Sequence, residues 1–273
     1  MSHDASKVLL GQTPSSAKDV ACFNSDPATY LAGLVVRQSS TVGELALAKS
    51  AGFVAGISLG RSLSDTKKTA VCVTGLSVPL RASLKRSTGT ITVTSYANLL
   101  TTTPDSVTIG ATVFTAQSGA ATPGDATFRA ATDNNATAVS LAAQINAHAT
   151  ASTLVYAVVT SSAVVTLYSK VEGAATGNDV AVAYTDNGGG NIGITLGGLT
   201  GGKLAGGSNT ISDIAYISKG AKAYINDATG KADIAMSGFS TISDATYVSE
   251  EITGIAEDSS EVAAVLVDIP GGL

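Results

Sequence analysis

The chain has no tryptophan, two cysteines, two histidines and an aromatic content of only 5%. Each scarcity removes a class of explanation. Cys22 and Cys72 are too few for the disulfide framework of a small secreted domain. Cys72 sits in the apolar run Ala70-Val71-Cys72-Val73 and reads as a buried free thiol. With His3 and His148 as the only histidines, a His-based triad would rest on His148, and no G-x-S-x-G elbow lies near it. No window approaches the roughly 18 consecutive apolar residues of a membrane span. The opening Met1-Ser2-His3-Asp4 does not begin a signal peptide, so synthesis in a cytoplasm is expected.

Charge is scarce too, at 14% of residues against the roughly 25% usual for soluble domains. Such a surface is covered by Ser, Thr, Gly, Asn and Ala, or is buried against other subunits. The net charge of -5 argues against nucleic acid, whose affinity comes chiefly from Lys and Arg neutralising phosphates. The densest basic run, RASLKR from Arg81 to Arg86, reads as a solvated strand end or a subunit contact.

What the chain does contain is 273 residues, ample for a sizeable core and about two domains. The polar, Pro- and Ser-containing residues 1–33 read as an extended arm, with 7–30 the part able to reach across a subunit boundary. From Leu34 short apolar or β-branched runs alternate with Gly and Ser, the pattern of a small barrel or sandwich. A similar passage recurs near the end. Val54-Ala55-Gly56-Ile57-Ser58, a polar turn and Ala70–Val73 are matched by Ile252-Thr253-Gly254-Ile255-Ala256, Asp258-Ser259-Ser260 and residues 262–267. In so Ala/Val/Gly/Ser-rich a chain this is either a true duplication or a chance match. A duplication predicts that residues 34–88 and 208–273 pair into one β-rich domain.

Residues 89–207 then form an inserted α+β module. Val107–Ile109 and Val113–Thr115 flank Gly110-Ala111 as a tight hairpin. Asp133, Asn134 and Asn135 offer oxygens to a helix start, and Ala138, Leu141, Ala142 and Ile145 form one apolar stripe. A second hairpin is expected around Ser161-Ser162, a further strand over 180–184, and a flexible glycine-rich return from Gly188 onward.

Candidate chemistry is thin. GGLTGGK, Gly197 to Lys203, satisfies part of a phosphate-binding loop, but Leu204 stands where the Mg²⁺-binding hydroxyl belongs and no helix follows. Asp179, Asp186, Asn187 and Asn191 offer oxygens to calcium, yet without EF-hand spacing; they read as turn residues. His148 ends the helix, where an imidazole can meet the C-terminal dipole. Glu250-Glu251 and Glu257-Asp258 are adjacent acids, which point to opposite faces of a strand and make no natural dyad. No catalytic, cofactor-binding or metal residue is therefore assigned, and no enzyme is expected.

Residues 34–80, with the Gly56-Ile57 turn, polar spacer and closing apolar strand, and residues 214–270, ending Val267-Asp268-Ile269-Pro270, resemble the small β domains of tailed-bacteriophage capsid decoration (cement) proteins. The 107–184 segment resembles the hairpin–helix–hairpin insert of phage virion proteins. The resemblance implies a virion protein on the outer capsid surface, binding the major capsid protein and bridging capsomers, with a homo-oligomer, a trimer favoured. Two alternatives stay open. One is a tail or baseplate structural protein. The other is a virion-displayed carbohydrate-binding or adhesive module using Tyr156, Tyr168 and Tyr184 as platforms.

Overall fold

The computed structural model describes residues 75–174, 177–211 and 213, together with 7–9, 20–25, 34–38, 44–47, 54–61, 68–72, 222–226, 229–234, 240–247, 252–255 and 261–269. The protein is mainly β with an α+β insertion, and it divides into two compact units, 1–84 with 210–273 and 85–209.

The inserted unit contains two four-stranded sheets and one substantial helix. Its elements are β1 (Arg86–Val93), β2 (Ser106–Ile109), β3 (Thr112–Gln117), β4 (Thr127–Arg129), α1 (Asn134–Ala147), α2 (Ala151–Leu154), β5 (Val155–Ser161), β6 (Val164–Glu172), β7 (Val182–Thr185), β8 (Ile194–Gly197), β9 (Leu199–Thr200) and β10 (Lys203–Leu204). One sheet has the antiparallel order β5-β6-β1-β8. The other has the order β4-β3-β2-β7, in which only the β3–β4 pair is parallel. In β1 the sequence Thr88-Gly89-Thr90-Ile91-Thr92-Val93 alternates, so the threonines face outward while Gly89, Ile91 and Val93 are buried. The core includes the fully buried Phe114, Phe128, Leu141, Ile145 and Leu167. Each such side chain contributes about 1.5–3 kcal/mol relative to exposure.

Helix α1 carries the expected apolar stripe: Ala138, Leu141, Ala142 and Ile145 are all buried. Its start is capped by the Asp133 carboxylate, which accepts from Ala136 N–H at 2.7 Å. Polar residues also fix it to its surroundings. Asn134 accepts from Tyr96 N–H at 2.8 Å and donates to Thr94 O at 2.9 Å. Ser140 Oγ accepts from Arg129 N–H at 2.8 Å. Asn146 donates to Ala157 O at 2.8 Å and accepts from Ala157 N–H at 2.9 Å. The last two contacts occupy backbone groups on the end strands β4 and β5, which otherwise offer themselves to a foreign strand.

The discontinuous unit is built from both chain ends. Strands Val20–Ser25, Glu44–Leu47, Val35–Gln38, Val54–Arg61 and Lys68–Cys72 pair in that order, and the circuit of pairings returns from Lys68–Cys72 to Val20–Ser25. An open sheet joins the two ends. Gly75–Arg81 lies antiparallel to Glu261–Ile269, and Lys7–Leu9 lies parallel to Ile252–Ile255. The two similar passages each form an antiparallel hairpin, Val54–Arg61 with Lys68–Cys72 and Ile252–Ile255 with Glu261–Ile269. They sit in different sheets and do not pair with one another.

Three expectations need correction. Residues 1–33 are not simply an arm, because Lys7–Leu9 and Val20–Ser25 are strands within the discontinuous unit. The unit boundaries fall at 84/85 and 209/210, since Arg86–Thr88 already pair with β6. Arg81 and Arg86 are not solvated: they are 8% and 4% exposed. The Arg86 guanidinium donates to the carbonyls of Ser169 and Lys170, replacing water with fixed acceptors. His3, Glu250, Glu251, Glu257, Asp258 and the Cys72 side chain lie outside the described residues.

Candidate functional site

Asp105, fully buried just before β2, gathers three donors on its carboxylate. One carboxylate oxygen accepts from Asn187 N–H at 2.9 Å and Gly188 N–H at 3.3 Å. The other accepts from the Tyr184 hydroxyl at 2.5 Å. The Tyr184 oxygen in turn accepts from Gly193 N–H at 3.0 Å. Asp186 holds the next turn, accepting from Gly189 and Gly190 N–H, both at 2.9 Å. Burial, then the bond to Asp105, pushes the Tyr184 hydroxyl up to about 12, although the Gly193 N–H pulls the other way.

This arrangement decides several sequence candidates. The carboxylates of Asp105 and Asp186 are turned onto backbone N–H groups, so they serve as anchors for the 186–193 loop. Asn187 donates its side-chain amide to Pro104 O at 2.9 Å. Asp179 instead meets Lys203 Nζ at 3.2 Å on the surface. The Asp186 oxygens are thus committed to loop N–H groups, and an Asp179 oxygen to Lys203. Among the described residues, no group of three or more His, Cys, Asp or Glu could hold a metal ion. The glycine-rich return, expected to be flexible, contains the pinned loop, β8 and the β9–β10 hairpin.

The phosphate-loop lookalike is that hairpin. Gly201 and Gly202 have φ of 58° and 75° between paired β9 and β10, the backbone of a type I′ turn. Its amides therefore belong to a two-residue strand reversal and not to a loop feeding a helix. Gly89 makes room for it: a Cβ there would come within 2.5 Å of Leu199 and 2.8 Å of Leu204.

His148 also behaves differently from expectation. Its Nδ1 accepts from Thr150 N–H at 3.2 Å and Ala151 N–H at 3.3 Å, capping the short α2. Its ring meets Phe114 edge-on at 5.5 Å. His148 is also the residue that closes α1, so one side chain joins the end of α1 to the start of α2.

Of the three tyrosines considered as platforms, two come together. Tyr156 on β5 and Tyr168 on β6 are direct cross-strand partners, on the face of their sheet opposite the core. Both are partly exposed, and Lys170 Nζ stands 5.4 Å from the centre of the Tyr156 ring. Burial pushes the Tyr168 hydroxyl up; burial, then the nearby Arg86, pushes the Lys170 ammonium down. Tyr184 lies in the other sheet, its hydroxyl committed to Asp105 and Gly193. In the discontinuous unit a cleft of about 170 Å³ is lined by Arg81, Leu84, Ile211, Lys231 and Glu261. That is below the ~300–1,000 Å³ of ordinary small-molecule pockets.

The fold thus defines a mainly β protein assembled from both chain ends around an α+β insertion. No family model and no curated protein matches the chain. A solved structure described as "Mycobacterium phage Patience" is similar at 10% identity, covering 95% of this chain and 94% of that chain, with a TM-score of 0.35. A likeness at that score carries no argument about fold or function. Among the described residues, no helix is long and apolar enough to cross a membrane.

Proposed function

We propose that this protein is a structural component of a tailed-phage virion, bound to the outside of the assembled capsid and bridging capsomers without catalysis. The observation that carries this reading is the pairing of Gly75–Arg81 with Glu261–Ile269, which makes one β-rich unit from the two decoration-like segments. The inserted unit leaves and re-enters at neighbouring points, with Ser208 N–H donating to Lys85 O at 3.1 Å. An insertion with adjoining ends can project or touch a neighbour while the discontinuous unit holds the shell.

The mechanism is mass action. A protein that binds the assembled shell and not its dissociated form stabilises the shell. Weak contacts suffice if each oligomer, a trimer being favoured, touches several capsomers at once. The partner is the major capsid protein; nucleic acid and membrane have no part. The low charge fits subunit contacts, because charged residues are depleted at interface cores.

The test is a reconstruction of purified virions, paired with co-sedimentation of the protein with isolated shells. Density on the outer shell and raised shell melting temperature are expected. Density confined to the tail or baseplate would reject the capsid reading in favour of a tail component.

A further inference from the structure

We infer that the outer face of the β5-β6-β1-β8 sheet is a binding platform for a neutral polysaccharide, centred on Tyr156 and Tyr168. This goes beyond shell binding and uses the other unit of the chain.

The placement follows from strand alternation. Val155, Ala157, Val165, Leu167, Ile91 and Val93 are buried on the core side, so Tyr156, Tyr168, Thr166 and the β1 threonines lie on the opposite side. Register sets them in rows across the sheet. Thr88, Tyr168 and Tyr156 form one row; Gly197, Thr90, Thr166 and Val158 form the next. The hydroxyls of Thr160 and Thr166 are 2.8 Å apart, close enough for shared hydrogen bonding.

The chemistry of this face favours a sugar chain over other occupants. Nucleic acid needs several cations to neutralise phosphates, whereas the central rows contain only neutral side chains, with Lys170 beyond them. A protein interface core is expected to be more apolar than rows in which three of seven residues are threonine. Tyrosine presents an apolar ring and a polar tip, which suits the C–H face and hydroxyl rim of a pyranose. Threonine is restricted at χ1, so its hydroxyl loses little freedom on binding. Strands are about 4.8 Å apart, so each row repeats at an interval close to one pyranose of an extended chain. Lys170 supplies a charged donor beside Tyr156.

The experiment is calorimetric titration of the full chain with two extended β-1,4-linked probes, cellohexaose and chitohexaose. Saturable binding of at least one is expected. Tyr156→Ala and Tyr168→Ala should each weaken it about tenfold, equivalent to about 1.4 kcal/mol. Tyr156→Phe and Tyr168→Phe, which keep the ring, should retain most of the affinity, and Thr166→Val should weaken it without disturbing packing. Circular dichroism and melting of every variant separate lost binding from lost fold. Absence of binding to both probes at millimolar concentration overturns the inference, as does binding that the tyrosine-to-alanine variants leave unchanged. If those variants lose shell association while the parent binds neither probe, the face is a protein contact and the inference is wrong. Failure to bind shells with hexaose binding intact would instead reject the capsid reading alone.

Discussion

Two glycine-rich stretches, 186–193 and 197–203, follow one another in the chain and look alike in sequence, yet different physics holds them. The first is held by side-chain oxygens, those of Asp186 within the loop and others from beyond it. Asp105, about eighty residues earlier, accepts from Asn187 and Gly188, and Tyr184 accepts from Gly193. The second is held through its backbone: Gly201 and Gly202 adopt the positive φ that a two-residue hairpin turn requires, and Gly202 O and Leu204 N–H bond to Val182 and Val180. Even the glycines differ in purpose. Gly188 has no need of positive φ; a Cβ there would run into Thr101. Gly201 has open space around it and needs only its backbone freedom. Glycine content alone therefore does not report flexibility.

The contrast breaks most visibly at Asp105. Asp105→Ala leaves the Tyr184 hydroxyl and two loop N–H groups without their acceptor, and a buried orphan costs about 1–3 kcal/mol. A loss of about 3 kcal/mol in urea unfolding is expected, with faster amide exchange over 186–193 and little change at 199–204. Uniform loss of protection across both stretches would show that they are not held separately.

A smaller effect is expected for Tyr184→Phe, about 1–2 kcal/mol, because the bond to Asp105 is removed while the ring remains. The same hydroxyl gives a pH dependence. Its folded value of about 12 lies above the ordinary 10, so the unfolded state releases its proton first. The stability contribution is complete below pH 10 and declines as pH rises from 10 through 12. Melting temperatures between pH 9 and 11.5 should fall less steeply in Tyr184→Phe. Tyr168, also raised, leaves a residual slope. Identical slopes would reject the assignment.

Next is Gly201→Ala, predicted to cost about 1 kcal/mol for the positive φ alone. Since no atom lies within 4 Å of the added methyl, a loss several times larger would point to a contact at this turn. Smallest, and of opposite sign, is Thr132→Gly. Thr132 holds φ of 77°, unfavourable for a β-branched residue, directly before the helix cap Asp133. Relief of that strain should raise stability by up to about 1 kcal/mol. A decrease would mean that the Thr132 side chain holds the cap in place.

Local patterns in the sequence carried the hairpin at Gly110-Ala111, the buried stripe of α1 and the second hairpin. Those elements depend on residues within a few positions of one another, so periodicity and turn chemistry report them directly. Strands β1 and β8 were missed. Three threonines, Thr88, Thr90 and Thr92, dilute the apolar signal of β1, and Gly197 closes a β8 of only four residues. Arg86 misled for a related reason: a basic residue in a basic run looks solvated unless the carbonyls that receive it are known. The candidate tyrosines were legible as types, but register alone separates Tyr156 and Tyr168 from Tyr184.

The sequence by itself determined the β-rich character, the capped helix, the turns and the low surface charge, because each rests on composition or short-range spacing. Tertiary structure decided which acids are anchors, which histidine nitrogen accepts, and which tyrosines share a face. The reason is physical. Hydrogen-bond satisfaction and strand register join residues as far apart as Asp105 and Tyr184, or Thr88 and Tyr168, and no local window contains both partners.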